Sequence, residues 1–190
     1  IAPKLENGLE LTLEGDITSV PYIKMTLALL NEIGVATSFE NNIIKVNPKH
    51  TIHNSQLTIE SDWSSASYYY SIVALSKIGT QITLSSYKEN SLQGDSALAE
   101  IYKDFGVATA FGNNEITLRK VDNCNLPMNN CQLNNAPDIA QTIAVTCFGL
   151  GVACHLTGLH TLKIKETDRL EALKTELSKL GANISVTNDS

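Results

Sequence analysis

Two acidic and two basic side chains fall within one pentapeptide, Lys165-Glu166-Thr167-Asp168-Arg169. Asp168 and Glu171 have the spacing of a capping box, which predicts Asp168 as the N-cap of a helix starting at Arg169. Lys165 and Glu166 then lie on the loop before that helix, and Arg169 lies on its first turn. The plainest account is a capped, charged helix start. Against it, two cations beside a helix N-terminus oppose the helix dipole unless an anion is also present. A phosphate or carboxylate ligand resolves that conflict, and a carboxylate beside it could move protons.

Four other helix entrances carry polar groups. Pro137-Asp138 precedes an apolar stretch, where Asp138 could cap the helix, accept a proton or hydrogen bond from a substrate hydroxyl, or do both. Ser19-Val20-Pro21-Tyr22 opens a second helix with Ser19 as its expected cap, and Ser91-Leu92-Gln93-Gly94-Asp95 opens a third. Asp62-Trp63-Ser64-Ser65-Ala66-Ser67-Tyr68 is a polar entry into an uncharged helix and reads mainly as architecture. The chain has no Gly-x-x-x-x-Gly-Lys phosphate loop, no Gly-x-Gly-x-x-Gly and no Gly-x-Ser-x-Gly elbow.

The elements that position these groups are written as a repeat. Gly34-Val35-Ala36-Thr37-Ser38-Phe39-Glu40-Asn41-Asn42-Ile43-Ile44-Lys45-Val46 returns as Gly106-Val107-Ala108-Thr109-Ala110-Phe111-Gly112-Asn113-Asn114-Glu115-Ile116-Thr117-Leu118. A third, decayed copy begins at Gly181-Ala182-Asn183-Ile184-Ser185-Val186. Each copy follows an amphipathic helix, striped by Ile23, Leu27, Leu30 and Ile33, by Leu98, Ile101, Tyr102 and Phe105, or by Leu170, Leu173, Leu177 and Leu180. Each glycine stands where a helix C-terminus favours a left-handed residue, and each Asn-Asn is a hairpin turn signal. Tyr22, Gly94 and Arg169 each precede their unit's glycine by twelve residues. Equivalent helix starts therefore carry different polar sets.

The front half of a unit also recurs. Strands are expected over 57–60, 81–85 and 153–157, and helices over 64–77 and 138–149, with no charge over 66–76 and 139–150. Helices without charge on any side should be buried all round. The order is strand, helix, strand, helix, strand, strand, which makes an α/β fold of repeated βαβαββ units around buried helices. One unit is complete at about 57–120, preceded by the tail of one and followed by most of another. A start at Ile1-Ala2-Pro3-Lys4 and an end at Asn188-Asp189-Ser190 are those expected of an internal piece.

The totals narrow the function classes. With 190 residues, 43% hydrophobic and 18% charged, the chain can bury a core. No apolar stretch reaches the roughly 18–20 residues that span a bilayer. A net charge of −6 argues against a nucleic-acid partner. An enzyme for anionic substrates can carry this charge if its few cations gather in a cleft, and Arg119 and Arg169 are the only arginines. Cys124, Cys131, Cys147 and Cys154 form no Cys-x-x-Cys pair, and His50, His53, His155 and His160 lack zinc-finger spacing. Free thiols of a cytoplasmic protein are expected rather than a metal site.

Five segments in order resemble the 3-phosphoshikimate 1-carboxyvinyltransferase (EPSP synthase) family. They are Gly-Asp-x-x-Ser-x-Pro-Tyr-Ile at 15–23, Asp-Trp-Ser-Ser-Ala-Ser-Tyr at 62–68, Asn-Ser-Leu-Gln-Gly-Asp at 90–95, Pro-Asp-Ile-Ala-Gln-Thr-Ile-Ala at 137–144 and Lys-Glu-Thr-Asp-Arg-Leu at 165–170. The resemblance implies two lobes of βαβαββ units, with this chain an incomplete set. Residues 1–57 would close the lobe on the shikimate 3-phosphate side, and residues 58–190 would hold one complete and one partial unit of the other. It implies transfer of the enolpyruvyl group of phosphoenolpyruvate to the 5-hydroxyl of shikimate 3-phosphate, with no metal or cofactor. By resemblance Asp138 takes the hydroxyl proton, Glu166 gives and takes a proton at carbon, and Arg169 binds phosphoenolpyruvate. Lys165 contacts the shikimate phosphate and assists proton transfer, and Ser19 and Tyr22 hold the same substrate. Thr161 stands where many relatives have Asn, four residues before Lys165, and would hydrogen-bond substrate.

The partners implied are these two small molecules, without nucleic acid or membrane, and the whole protein would be a monomer. Family segments that complete the anion site, including a Lys-Ser, a Ser-Ser-Gln and a C-terminal Arg and Lys, are not among these 190 residues, so the chain alone is expected to be inactive. Two other readings compete: the related transferase acting on UDP-N-acetylglucosamine, and a non-catalytic repeat module whose charged helix starts serve only as caps.

Overall fold

The computed structural model describes residues 1–15, 17, 19–49, 51, 57–122, 124 and 128–190, and the chain divides into two compact units, Ile1–Ile59 and Glu60–Ser190. Asp16 of the first family-like segment, and His50 and His53, lie outside the described residues.

In the first unit, strand β1 (Leu9–Thr12) precedes helix α1 (Val20–Glu32) and the hairpin of β2 (Thr37–Glu40) and β3 (Ile43–Val46). The sheet order is β1-β3-β2, antiparallel throughout. Asn41 and Asn42 have φ of 49° and 59°, the left-handed pair that a two-residue hairpin loop requires. The expected stripe holds: Leu27 is buried with Val35, Ile44 and Val46, and Ile23, Leu30 and Ile33 pack against them. Ser19 stands at the N-cap of α1, but its backbone is left-handed (φ 57°) and its hydroxyl makes no capping bond. That corrects the expected serine cap, since capping requires an extended backbone that aims the side chain back over the first turn.

The second unit begins with α2 (Trp63–Ala74) and β4 (Gln81–Ser85), then a 3-10 turn at Gly94–Ala97 running into α3 (Leu98–Ile101). The hairpin of β5 (Val107–Phe111) and β6 (Glu115–Lys120) follows, in sheet order β4-β6-β5. Next come β7 (Met128–Gln132), a 3-10 turn at Pro137–Ile139 leading into α4 (Ala140–Leu150), and β8 (Cys154–Thr157), which runs parallel to β7. A 3-10 turn at His160–Ile164 precedes α5 (Arg169–Lys179). Trp63, Tyr70, Tyr102, Phe105, Ile139 and Ile143 are fully buried at the centre of this unit.

Several sequence expectations need correction. No strand forms at 57–60: the Glu60 carboxylate is instead taken by Trp63 Nε1, the Lys88 N–H and Ser91 Oγ at 2.7–2.9 Å. Strand β7, which the sequence reading did not assign, fills the equivalent place in the following unit. The middle striped helix is α-helical over only four residues and continues as 3-10-type turns, yet Leu98, Tyr102 and Phe105 stay on the buried face. No strand follows Gly181. Helices α2 and α4 are not buried all round. Tyr68 is 66% and Ile72 53% exposed on α2, and Val145 and Phe148 are exposed on α4. An uncharged helix is buried only where other elements cover it, and here such cover lies on one side alone.

Candidate active site

Four of the five polar helix starts belong to the second unit, and they converge there. Helix α2 starts on Asp62, whose carboxylate accepts from Ser64 N at 3.0 Å and Ser65 N at 3.1 Å. Those bonds, with the one from Ser65 Oγ, outweigh partial burial and hold the Asp62 carboxyl below the usual range. Helix α5 starts on Asp168, which accepts from Leu170 N and Glu171 N, both at 3.1 Å. Asp168 is therefore the predicted cap, and the side chain of Glu171 turns to Lys174 rather than back to the cap.

Asp138 does not cap α4. It sits inside the 3-10 turn, and its carboxylate accepts from Arg169 Nη1 at 2.9 Å with Lys165 Nζ 3.4 Å away. The reason is geometric: a residue already within the turn cannot reach back over its first N–H groups. Arg169 also donates from Nε and Nη2 to the two oxygens of Glu166, each at 2.8 Å, a two-pronged pair that fits guanidinium to carboxylate. This pairing holds the exposed Glu166 carboxyl below its ordinary range, and raises the Arg169 guanidinium, which burial opposes.

Asp138, Lys165, Glu166 and Arg169 thus form one quartet of balanced charge on the wall of a cavity of about 760 Å³. Asp62, Ser64 and Tyr68 of the α2 entrance form another part of the wall. The sequence reading treated that entrance as architecture; the signal it carried was a run of small hydroxyls at the start of a helix without charges. Nor did the sequence point to Asp95, which lies behind Ser64 and does not itself line the cavity. It is 2% exposed and accepts from Ser64 Oγ, and burial drives its carboxyl up to about 6.

The remaining candidates belong to other elements. Thr161 is in the 3-10 turn before Lys165; its hydroxyl is buried with no hydrogen-bond partner, and it does not line the cavity. Ser19 and Tyr22 belong to the first unit, at the start of α1. All four cysteines are free thiols. Among the described residues no group of three His, Cys, Asp or Glu could hold a metal, and no helix is long and apolar enough to cross a membrane.

A family model described as EPSP synthase (3-phosphoshikimate 1-carboxyvinyltransferase) matches residues 1–190. The chain belongs to the EPSP synthase family. A 3-phosphoshikimate 1-carboxyvinyltransferase of Bacteroides fragilis is 46% identical over 191 residues, covering 100% of this chain and 46% of the relative. One from Haemophilus influenzae is 32% identical over 186 residues, covering 96% of this chain and 41% of that protein. The chain therefore spans less than half the length of these curated relatives. The fold is similar to a solved EPSP synthase of Acinetobacter baumannii, at TM-score 0.70 and 18% identity, over 95% of this chain and 41% of that one.

Proposed function

We propose that this chain is part of an enolpyruvyl transferase that moves the carboxyvinyl group of phosphoenolpyruvate to the 5-hydroxyl of shikimate 3-phosphate and releases phosphate. The observation that carries this reading is the quartet: two carboxylates and two cations from separate helix starts share one cavity wall. The cations suit anionic substrates, and the carboxylates suit the two proton transfers.

The chemistry follows from where the protons go. The substrate hydroxyl oxygen bonds to the enol carbon while its proton passes to Asp138. The methylene carbon takes a proton from Glu166 and becomes a methyl group. The bond to the phosphate oxygen then breaks, the methyl group returns its proton to Glu166, and the departing phosphate takes up the proton held by Asp138. Arg169 binds phosphoenolpyruvate, and Lys165 contacts the shikimate phosphate and assists proton transfer. Glu166 cannot serve carbon while both its oxygens are held by Arg169. An anionic substrate that pairs with Arg169 displaces Glu166 and raises its proton affinity, so that Glu166 takes up from solvent the proton it then gives to the methylene carbon.

Ser19 and Tyr22, and Thr161 through its unpartnered hydroxyl, are proposed to hold shikimate 3-phosphate. Residues 1–57 and 58–190 are proposed to belong to the family's two lobes, the first on the shikimate 3-phosphate side. The compact units at 1–59 and 60–190 support that division. The exposed apolar faces of α2 and α4 suit cover by a further unit of the second lobe. On this reading the whole enzyme is a cytoplasmic monomer that uses only these two small substrates, without nucleic acid, metal or organic cofactor, and these 190 residues alone do not turn over.

The test is steady-state turnover by the complete enzyme carrying this sequence, with Asp138→Ala and Glu166→Ala. Each is expected to lower kcat by about 10²–10⁴-fold, the usual worth of a positioned acid or base. Full turnover in both variants would refute the catalytic assignment and leave Asp138 and Glu166 as structural ion-pair partners of Arg169.

A further inference from the structure

Ser64 and Asp95 are unused by the mechanism above, yet Ser64 lines the same cavity as Lys165 and Arg169, and Asp95 is bonded to it. Ser64 lies on the cavity wall in the first turn of α2, with its backbone N–H fixed by Asp62. Its hydroxyl donates to Oδ2 of Asp95, while Oδ1 of Asp95 is buried with no hydrogen-bond partner. We propose that Ser64 and Asp95 form a proton-linked switch in the cavity wall, through which an oxyanion bound beside Lys165 and Arg169 drives uptake of one proton by Asp95. This rests on reading the cavity as an anion site and not on enolpyruvyl transfer.

A serine hydroxyl has one hydrogen and two lone pairs, so its direction depends on its partner. When Asp95 is ionised, Ser64 spends its hydrogen on that carboxylate and turns only lone pairs toward the cavity, where they repel an anion. When Asp95 is protonated, the acid donates to Ser64 Oγ. The serine hydrogen is then released to donate to a bound oxyanion. The proton comes from solvent and no covalent bond between heavy atoms changes.

The surroundings favour the protonated form. An ionised, buried carboxylate with one bare oxygen is strongly disfavoured, whereas the neutral acid is much less so. Burial is the largest influence on Asp95; the charges of Asp138 and Asp62 push in the same direction, while the Ser64 bond and the charge of Lys165 oppose it. An added anion places more negative charge near Asp95. Reciprocity then requires that protonation of Asp95 strengthen anion binding by the same factor that anion binding strengthens protonation. Asp95 is thus a positioning residue that acts through Ser64.

The probe is sulfate, which does not titrate near neutrality, bound to the 190-residue chain and followed calorimetrically from about pH 5.5 to 8.5 in buffers of different ionisation enthalpy. Among the described residues the cavity lining carries no histidine to share that window. For the unmodified chain the dissociation constant should rise by up to about tenfold per pH unit above about pH 6, the limit for one linked proton, with proton uptake on binding. Asp95→Asn, whose amide donates to Ser64 at every pH, should keep the tight low-pH affinity at pH 8 and lose the slope. Ser64→Ala should bind more weakly at low pH and also lose the slope, which keeps the test sharp if Asp95→Asn folds poorly. A flat profile for the unmodified chain, an unchanged slope in either variant, or no sulfate binding at any pH overturns the proposal. None of these readouts needs turnover, so failure of the enzymatic reading would leave them unmoved.

Discussion

Replacing Asp95 by Asn should change how the stability of the second unit depends on pH, and the size of the change follows from its burial. The Asp95 carboxyl rises from an ordinary 3.8 to about 6 in the folded chain. A group whose folded value is raised stabilises the fold fully below the unfolded value, and that contribution disappears as pH climbs through the folded value. A rise of roughly two units corresponds to about 3 kcal/mol lost between pH 3 and 8, about half of it between pH 5 and 8. Asn does not titrate, so the variant lacks this loss. Burying an amide that is not fully hydrogen-bonded costs about 1–3 kcal/mol, but that offset is the same at every pH. The quantity to measure is therefore the difference between the two stability curves across pH. Trp63 is the only tryptophan and is fully buried in the second unit, so its fluorescence during urea titration reports on the right transition. The curves should converge or cross with the variant gaining about 1–2 kcal/mol relative to the unmodified chain from pH 5 to 8. Curves that stay parallel to within about 0.5 kcal/mol would show that Asp95 does not titrate there, and would remove the basis for the switch.

Two further outcomes follow from the helix start at 165–169. Asp168→Ala removes a cap that serves two backbone N–H groups and should cost about 1 kcal/mol in urea titrations, whereas Asp168→Asn should lose only a few tenths, since amide and carboxylate cap comparably. Equal losses would show that the charge matters and the cap does not. Carbon-13 NMR of the Glu166 carboxyl should place its midpoint below the ordinary glutamate range in the free chain, because Arg169 donates to it, and sulfate should move the midpoint upward. A midpoint that sulfate does not move would mean that the anion does not compete for Arg169.

What could be read from the sequence was local. Asp168 was legible as a cap because the donors it serves are two and three residues away. The Asn41-Asn42 hairpin and the glycines that end helices were legible because a left-handed backbone selects few residue types. The Ser64–Asp95 contact spans 31 residues and depends on how α2 packs against the turn at Gly94–Ala97, which no periodicity encodes. The strand expected at 57–60 failed for a related reason. Four alternating residues specify a strand only if a partner edge is available, and the Glu60 side chain is committed to Trp63, Lys88 and Ser91.

The sequence also showed two cations at a helix start with their charge unanswered, and inferred an external anion. The structure answers that charge internally: Asp138 and Glu166 occupy the same cations that a phosphate or carboxylate would use. Binding is then an exchange, since every contact an anion gains at Arg169 is one that a carboxylate gives up. Such an exchange lowers net affinity, because the displaced contacts count against the new ones. In return it couples occupancy to the release of Glu166, and a base freed only when the anion arrives is not held ready in an empty cavity. Arg169→Lys separates these effects, because a lysine keeps the positive charge but cannot hold both oxygens of Glu166 in a planar fork.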